Sequence, residues 1–337
     1  MRPLTASQRF LTALAFGLLP VPAEAHIKWF APYSVPEQPR LLSAVFSRGF
    51  LLLTLTALVV LTIVCWLERT AVGQVLARSF DRLGAGIRAR TEEFYRAGTG
   101  AFFVALFTLG NIILTPELLT KVDAVSWLQA AIALGMVWRT TMVLSAAGIV
   151  ALYAYGVLTY GIFHLLDYPI FLALAAYLAL TAARVRIHDF RPIDVARWGA
   201  AVTLMWASIE KWAYPQWTYP VLQSHHSLTF GFSPPFYMTA AGFVEFSLGF
   251  SLLWTPLVRG MAATVLSAMF TSAVLEFGKI DAIGHLMIVV TLVTVGADNG
   301  RVVRRTTLAP VFYCAALATT LAFYYGLHAL IYGTRIW

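Results

Sequence analysis

Charge is scarce in this chain, and cysteine nearly absent. Only 12% of the 337 residues are Asp, Glu, Lys or Arg, against 59% hydrophobic, and mean hydropathy is +0.75. That balance excludes a soluble globular domain. The two cysteines, Cys65 and Cys314, both lie in apolar runs, which excludes a disulfide framework, a Cys-x-x-Cys redox pair and a haem-attachment motif. No flavin or nucleotide fingerprint is present. The net charge of +8 rests on arginines in short segments between apolar runs, so it is not a nucleic-acid footprint and no nucleic-acid partner is expected.

What the chain does have is apolar runs of membrane-spanning length, about 17–25 residues each. The pattern predicts an all-α, polytopic integral membrane protein with about ten transmembrane helices, in contact with the lipid bilayer. The expected spans are 49–67, 98–116, 122–138, 140–163, 168–184, 198–213, 234–254, 260–278, 283–297 and 306–332. Residues 1–25 read as a signal peptide: Arg2 and Arg9, an apolar run from Phe10 to Leu19, then Ala23-Glu24-Ala25 as a small-residue cleavage site. The mature chain then begins at His26. An uncleaved interfacial helix is the alternative.

Arginine placement orients these spans. Arg69, Arg78, Arg82, Arg88, Arg90, Arg96, Arg139, Arg184, Arg186, Arg191, Arg197, Arg259, Arg301, Arg304 and Arg305 all fall on one side. The positive-inside rule makes that side internal and both mature termini external, as in a bacterial-type inner (plasma) membrane. In segment 68–97, Arg and Glu alternate with Val75, Leu76, Phe80, Leu83 and Ile87. This is either an amphipathic helix on the membrane surface or a solvated loop helix.

Two halves of the chain are weakly alike. Arg96-Ala97-Gly98 matches Arg197-Trp198-Gly199, and Tyr160-Gly161 through Asp167 matches Phe277-Gly278 through Gly284. The organisation read from this is 1–25 leader; 26–97 external segment, first span and inner loop; 98–184 a degenerate four-helix unit; 185–298 a second four-helix unit; and 299–337 a last helix and tail. Both units start on the inner side, so they are parallel repeats.

The second unit carries Glu210, Lys211, Glu245, Glu276, Lys279, Asp281 and His285 in an otherwise apolar stretch. Ionisable groups inside spans cost about 2.5–3.5 kcal/mol on insertion scales and commonly face a working polar interior. Under the repeat alignment, Glu210, Glu245, Glu276 and His285 fall against Leu109, Leu128, Thr159 and Tyr168, so the fold alone does not demand them. Helical spacing lets Glu276 touch Lys279 (i,i+3) and Asp281 touch His285 (i,i+4). The seven are expected to line one outward-facing pocket with Glu245 at its floor. Snorkelling or rim ion pairs are the plainer reading of Glu210, Lys211, Glu276, Lys279 and Asp281.

At these residues the second unit resembles the DoxX-like family of small four-helix membrane proteins. The resemblance rests on Arg197 before the first helix, Glu210-Lys211 at its end, Glu245 with Gly249 one turn later, and Arg259 after a short turn. It covers residues 197–297, with a fainter echo in 96–182. It implies quinone-linked oxidoreductase chemistry inside a membrane or periplasmic redox complex, with Lys211 and Glu245 as the foremost site residues. The chain departs from the family in its doubled unit, its leader, the His225-His226 loop, and Gly296-Ala297-Asp298-Asn299-Gly300 after the fourth helix.

Three functions fit these residues. In the first, a half-buried acid and a base beside an apolar entry serve proton-coupled quinone chemistry. In the second, the chain handles copper: a mature amino-terminal His26 offers amine and imidazole, and His225, His226 or His285 completes the set. In the third, the polar cluster only holds helices together in a non-catalytic scaffold.

Overall fold

The computed structural model describes residues 27–185, 190–300 and 306–337. The leader and His26 lie outside the described residues. Among those described, the chain is all-helical. Its main helices are α1 (Arg48–Leu67), α2 (Ala71–Ala89), α3 (Thr91–Leu109), α4 (Asp123–Gly135), α5 (Met142–Tyr160), α6 (Pro169–Ala182), α7 (Pro192–Ala213), α8 (Pro234–Ser251), α9 (Pro256–Ala297) and α10 (Ala309–Tyr332). Local chemistry sets their ends. Ser47 Oγ accepts the Phe50 amide at the start of α1, and Thr70 Oγ1 accepts the Gly73 amide at the start of α2. Proline opens α6, α7, α8 and α9, where its missing N–H costs no helical bond.

Among the described residues, four stretches are long and apolar enough to cross a membrane: Arg48–Leu67, Arg139–Tyr160, Pro256–Ala297 and Ala309–Tyr332. Helix α6 is apolar but shorter. Leu158, Leu275 and Leu330 are 85%, 90% and 81% exposed, the outward apolar surface expected of helices that face lipid. The expected span 122–138 is only the 13-residue α4, and α3 ends at Leu109, short of residue 116.

Helix α9 is a hairpin. Its 42 residues would stretch about 63 Å if straight, yet Arg259 near its start donates to the Asp298 carbonyl just past its end, 3.0 Å away. The chain reverses at Gly278, with φ 72° and ψ −151°. Its arms, 256–277 and 279–297, occupy the places of two expected spans. Gly161, aligned with Gly278 by the repeat, also has positive φ (87°, ψ 155°) and ends α5. Both backbones lie in a region essentially confined to glycine.

Two four-helix groups result, α3–α6 and α7, α8 with the arms of α9. Helix α6 packs on α7, and α3 packs on α9; α1 and α10 flank the second group. Glycines permit the close crossings, as membrane helices commonly require. A Cβ on Gly199 would lie 2.1 Å from Ala173 Cβ, and one on Gly249 would lie 2.9 Å from Leu204 Cβ. Gly249 therefore serves packing between α7 and α8.

Arginines close one end of each group. In the first, Arg96 donates to the Met136 (2.8 Å) and Val137 carbonyls beyond α4, and Arg139 donates to Thr181 O at the end of α6. In the second, Arg259 donates to Trp254 O (3.0 Å) beyond α8 and to Gly300 O (2.7 Å). Guanidinium groups at helix carboxyl ends satisfy orphan carbonyls and complement the dipole. Asp298 is the hub of the second group, accepting from Arg191 (2.7 Å), Arg259 (2.8 Å) and Arg197. Burial alone would raise its pKa, but the Arg191 hydrogen bonds and the three positive charges hold it below the usual carboxylate range. Helix α2 rests on this end: Phe80 packs on Gly260, and Arg88 donates to Ala297 O. Val72, Val75 and Leu83 stay exposed on its free face, so α2 is amphipathic and partly docked on the protein.

Candidate functional site

The opposite end of the bundle holds another set of buried polar groups, and the amino-terminal segment plugs it. That segment is tied down by Arg40 N to Ala213 O (2.9 Å), Leu42 N to Ile336 O (2.9 Å) and His328 to Val35 O (2.8 Å). Its first described turn, Ile27–Trp29, inserts Lys28 and Trp29 between the two four-helix groups.

Lys28 is 5% exposed. Its ammonium donates to Asp167 Oδ2 and, at 2.5 Å, to Glu210 Oε1, and it lies 5.4 Å from the Tyr33 ring centroid and 5.7 Å from that of Trp217. Burial disfavours its charge, but Asp167, Glu210 and Glu117 more than offset this and hold Lys28 protonated far above the ordinary lysine range. Asp167 follows the short helix Ile162–Leu165 that begins after Gly161. Its second oxygen accepts Trp206 Nε1 at 2.9 Å. Glu117, from the loop after α3, takes the Tyr168 hydroxyl on Oε1, and the same oxygen is 3.2 Å from His164 Nε2. Tyr33 OH lies 3.4 Å from that nitrogen. Burial first, then the Glu117 charge, pushes the Tyr33 pKa up.

A second polar group lies beside the first. Lys211 Nζ donates to Glu245 Oε2 at 2.5 Å. His285 Nδ1 is 3.1 Å from Asp281 Oδ1, and the imidazole packs against Trp29 (4.7 Å between centroids) and Phe270 (4.6 Å). A Cβ on Gly284 would lie 2.1 Å from the Trp29 indole, so glycine there is what admits the indole. A cavity of about 40 Å³ joins the two groups, with Asp167, Tyr168, Lys211, Glu245 and His285 in its wall.

The seven residues expected in one pocket therefore divide. Glu210 and Lys211 are neighbours on α7 but point apart, Glu210 to Lys28 and Lys211 to Glu245. Asp281 and His285 lie side by side, 3.1 Å between Oδ1 and Nδ1, as their spacing predicts, without a hydrogen bond between them. Glu276 and Lys279 do not form the expected i,i+3 pair, because the reversal at Gly278 lies between them. Glu276 instead lies 3.6 Å from His225 Nε2, and both Glu276 and Lys279 are exposed at the rim. Glu245 is ion-paired with Lys211 and lies in the wall of the small cavity. Among the expected metal ligands, His225 is also held by Ser224 Oγ at 2.9 Å, and His26 lies outside the described residues.

Sequence reasoning passed over Lys28, Glu117, His164 and Asp167. Glu117, His164 and Asp167 lie in the first unit, whereas the ionisable set that the repeat alignment singles out lies in the second. His164 and Asp167 stand within the repeat segment itself, and a search for polar residues in either copy finds them. Nothing in the sequence around Lys28 marks it as buried; its place beside Asp167 follows from the path of a proline-containing segment with no periodicity. The account of charge here is uneven: Glu117, Asp167 and Glu210 carry three carboxylates around one ammonium and one imidazole. Compared with known proteins, the chain matches no family model, no curated protein and no solved structure.

Proposed function

We propose that this chain is a DoxX-like integral membrane subunit whose buried acid, lysine and histidine groups carry protons for quinone-linked oxidoreduction. The observation that carries this reading is the small cavity shared by Asp167, Tyr168, Lys211, Glu245 and His285. A water needs about 10–15 Å³ of such volume, so about 40 Å³ takes a few waters and leaves no room for a quinone ring. Groups that exchange protons through one or two waters are the arrangement general acid–base transfer uses. The surplus of carboxylate over cation in the Lys28 cluster supports proton loading, since buried like charges cannot all stay ionised cheaply.

The quinone itself belongs in a different place. Between α1, α8, α9 and α10 lies an apolar groove of about 370 Å³, with Leu53, Val60, Phe243, Val244, Val265 and Tyr313 in its wall. That volume suits a small apolar ligand, and Val244 precedes Glu245 on α8. Quinone reduction takes up two protons with two electrons, so the chain needs an electron donor; we assign that role to a partner subunit of a membrane or periplasmic complex. We further propose a bacterial-type inner membrane, ten spans, a cleaved leader, and both mature termini external, with the arginine end facing the cytoplasm.

The test is quinone binding by the purified protein. Titration with a short-chain ubiquinone, read by tryptophan quenching, is expected to saturate, and Val244→Trp, which fills the groove, is expected to weaken it at least tenfold. Equal affinity in the variant, or no saturation in the wild type, contradicts the assignment.

A further inference from the structure

The surplus carboxylates of the Lys28 cluster also have the makings of a cation site. We propose that Glu117, His164 and Asp167 form a binding site for one divalent first-row metal ion of the zinc type. One donor atom from each residue, an imidazole nitrogen and two carboxylate oxygens, lie within 4.8 Å of one another. Donors on one tetrahedral ion with bonds of about 2.0–2.2 Å sit about 3.3–3.6 Å apart, so closing the site needs side-chain movements of up to about an ångström.

An independent observation points to a missing partner. Glu117 Oε2 is buried and accepts no hydrogen bond, although its side chain is only 2% exposed. A bare carboxylate oxygen out of water is costly, and a cation at the triad removes that cost. The surrounding groups hold the donors as outer partners of metal ligands do: Trp206 fixes Asp167, Tyr168 fixes Glu117, and the edges of Tyr33 and Tyr160 flank the imidazole. One imidazole with two carboxylates suits zinc, iron(II) or manganese(II) better than copper(I), which favours sulfur. This set is distinct from the copper ligands His26, His225 and His226 expected from sequence; it shares Asp167 with the proton-carrying cavity but does not depend on quinone binding.

Lys28 is the built-in competitor. Its ammonium already lies on Asp167 Oδ2, so an entering ion displaces it onto Glu210, its other partner. Removing the lysine should therefore tighten metal binding, a result that a generic acidic patch or a surface histidine does not predict.

The experiment is zinc titration of the full-length protein in detergent, followed by X-ray absorption at the zinc edge. We expect one zinc per chain with a single imidazole in a nitrogen–oxygen shell. Glu117→Gln and His164→Ala should each lose at least tenfold in affinity, Lys28→Met should gain, and the His225→Ala/His226→Ala double variant should bind as wild type. Absence of a bound equivalent, a shell of two or more imidazoles, or loss of binding in the double variant instead of the triad variants overturns the proposal. The absorption spectrum of the wild type decides the matter even where a variant fails to fold.

Discussion

Lys28 and Asp167 lie 139 positions apart in the chain, yet they share an ion pair buried between the two four-helix groups. The pair ties the amino-terminal segment to the turn before α6, and Glu210 adds a second bond from α7. Three distant parts of the sequence thus meet on one ammonium.

Removing that ammonium should be costly. Lys28→Met strands Asp167 and Glu210 without their counter-ion, and breaking one side of a buried pair costs about 3–5 kcal/mol. Thermal unfolding in detergent should show a clear drop in Tm, with Lys28→Arg falling less. An unchanged Tm for Lys28→Met means that the segment does not hold the bundle's end.

The reversal of α9 makes a second prediction. Gly278 has φ 72° and ψ −151°, and no atom crowds its Cβ position, so any penalty for Gly278→Ala is one of backbone conformation. That conformation costs a residue with a Cβ about 1–3 kcal/mol. Gly86, inside α2 at ordinary helical φ with open space around it, is the control, where Ala should be neutral or slightly stabilising. Equal stability of both variants in detergent contradicts the hairpin geometry at Gly278.

Much of this fold was legible in the sequence, because apolar runs and arginine-marked boundaries reflect the cost of burying charge. A helix stands at each expected span, and the aligned glycines Gly161 and Gly278 both carry positive φ. The proximity of Asp281 to His285 was also readable from helical spacing. The contacts of Lys28 were not, since they depend on how an irregular segment packs across groups far apart in sequence. Spacing rules also fail at Gly278, where a chain reversal leaves no helical face for Glu276 and Lys279 to share.

Asp298 offers a pH-dependent prediction. Its folded-state pKa is lowered by Arg191, Arg197 and Arg259 against the opposing effect of burial. Its contribution to stability is therefore complete above the ordinary aspartate value of about 4 and is lost as pH falls through the lowered folded-state value. Wild-type Tm should drop on acidification in that range, and Asp298→Asn should be less stable at neutral pH with a shallower acid slope. Parallel acid slopes for the two proteins would show that Asp298 does not contribute in this way.

The most direct test of the proton-carrying role is redox-triggered infrared difference spectroscopy of the protein with bound quinone. The account predicts a protonated-carboxyl band that appears on quinone reduction, shifts in deuterated water, and changes or disappears in Glu245→Gln or Asp167→Asn. A spectrum with quinone bands but no carboxyl band, in a sample that binds and cycles quinone, contradicts it.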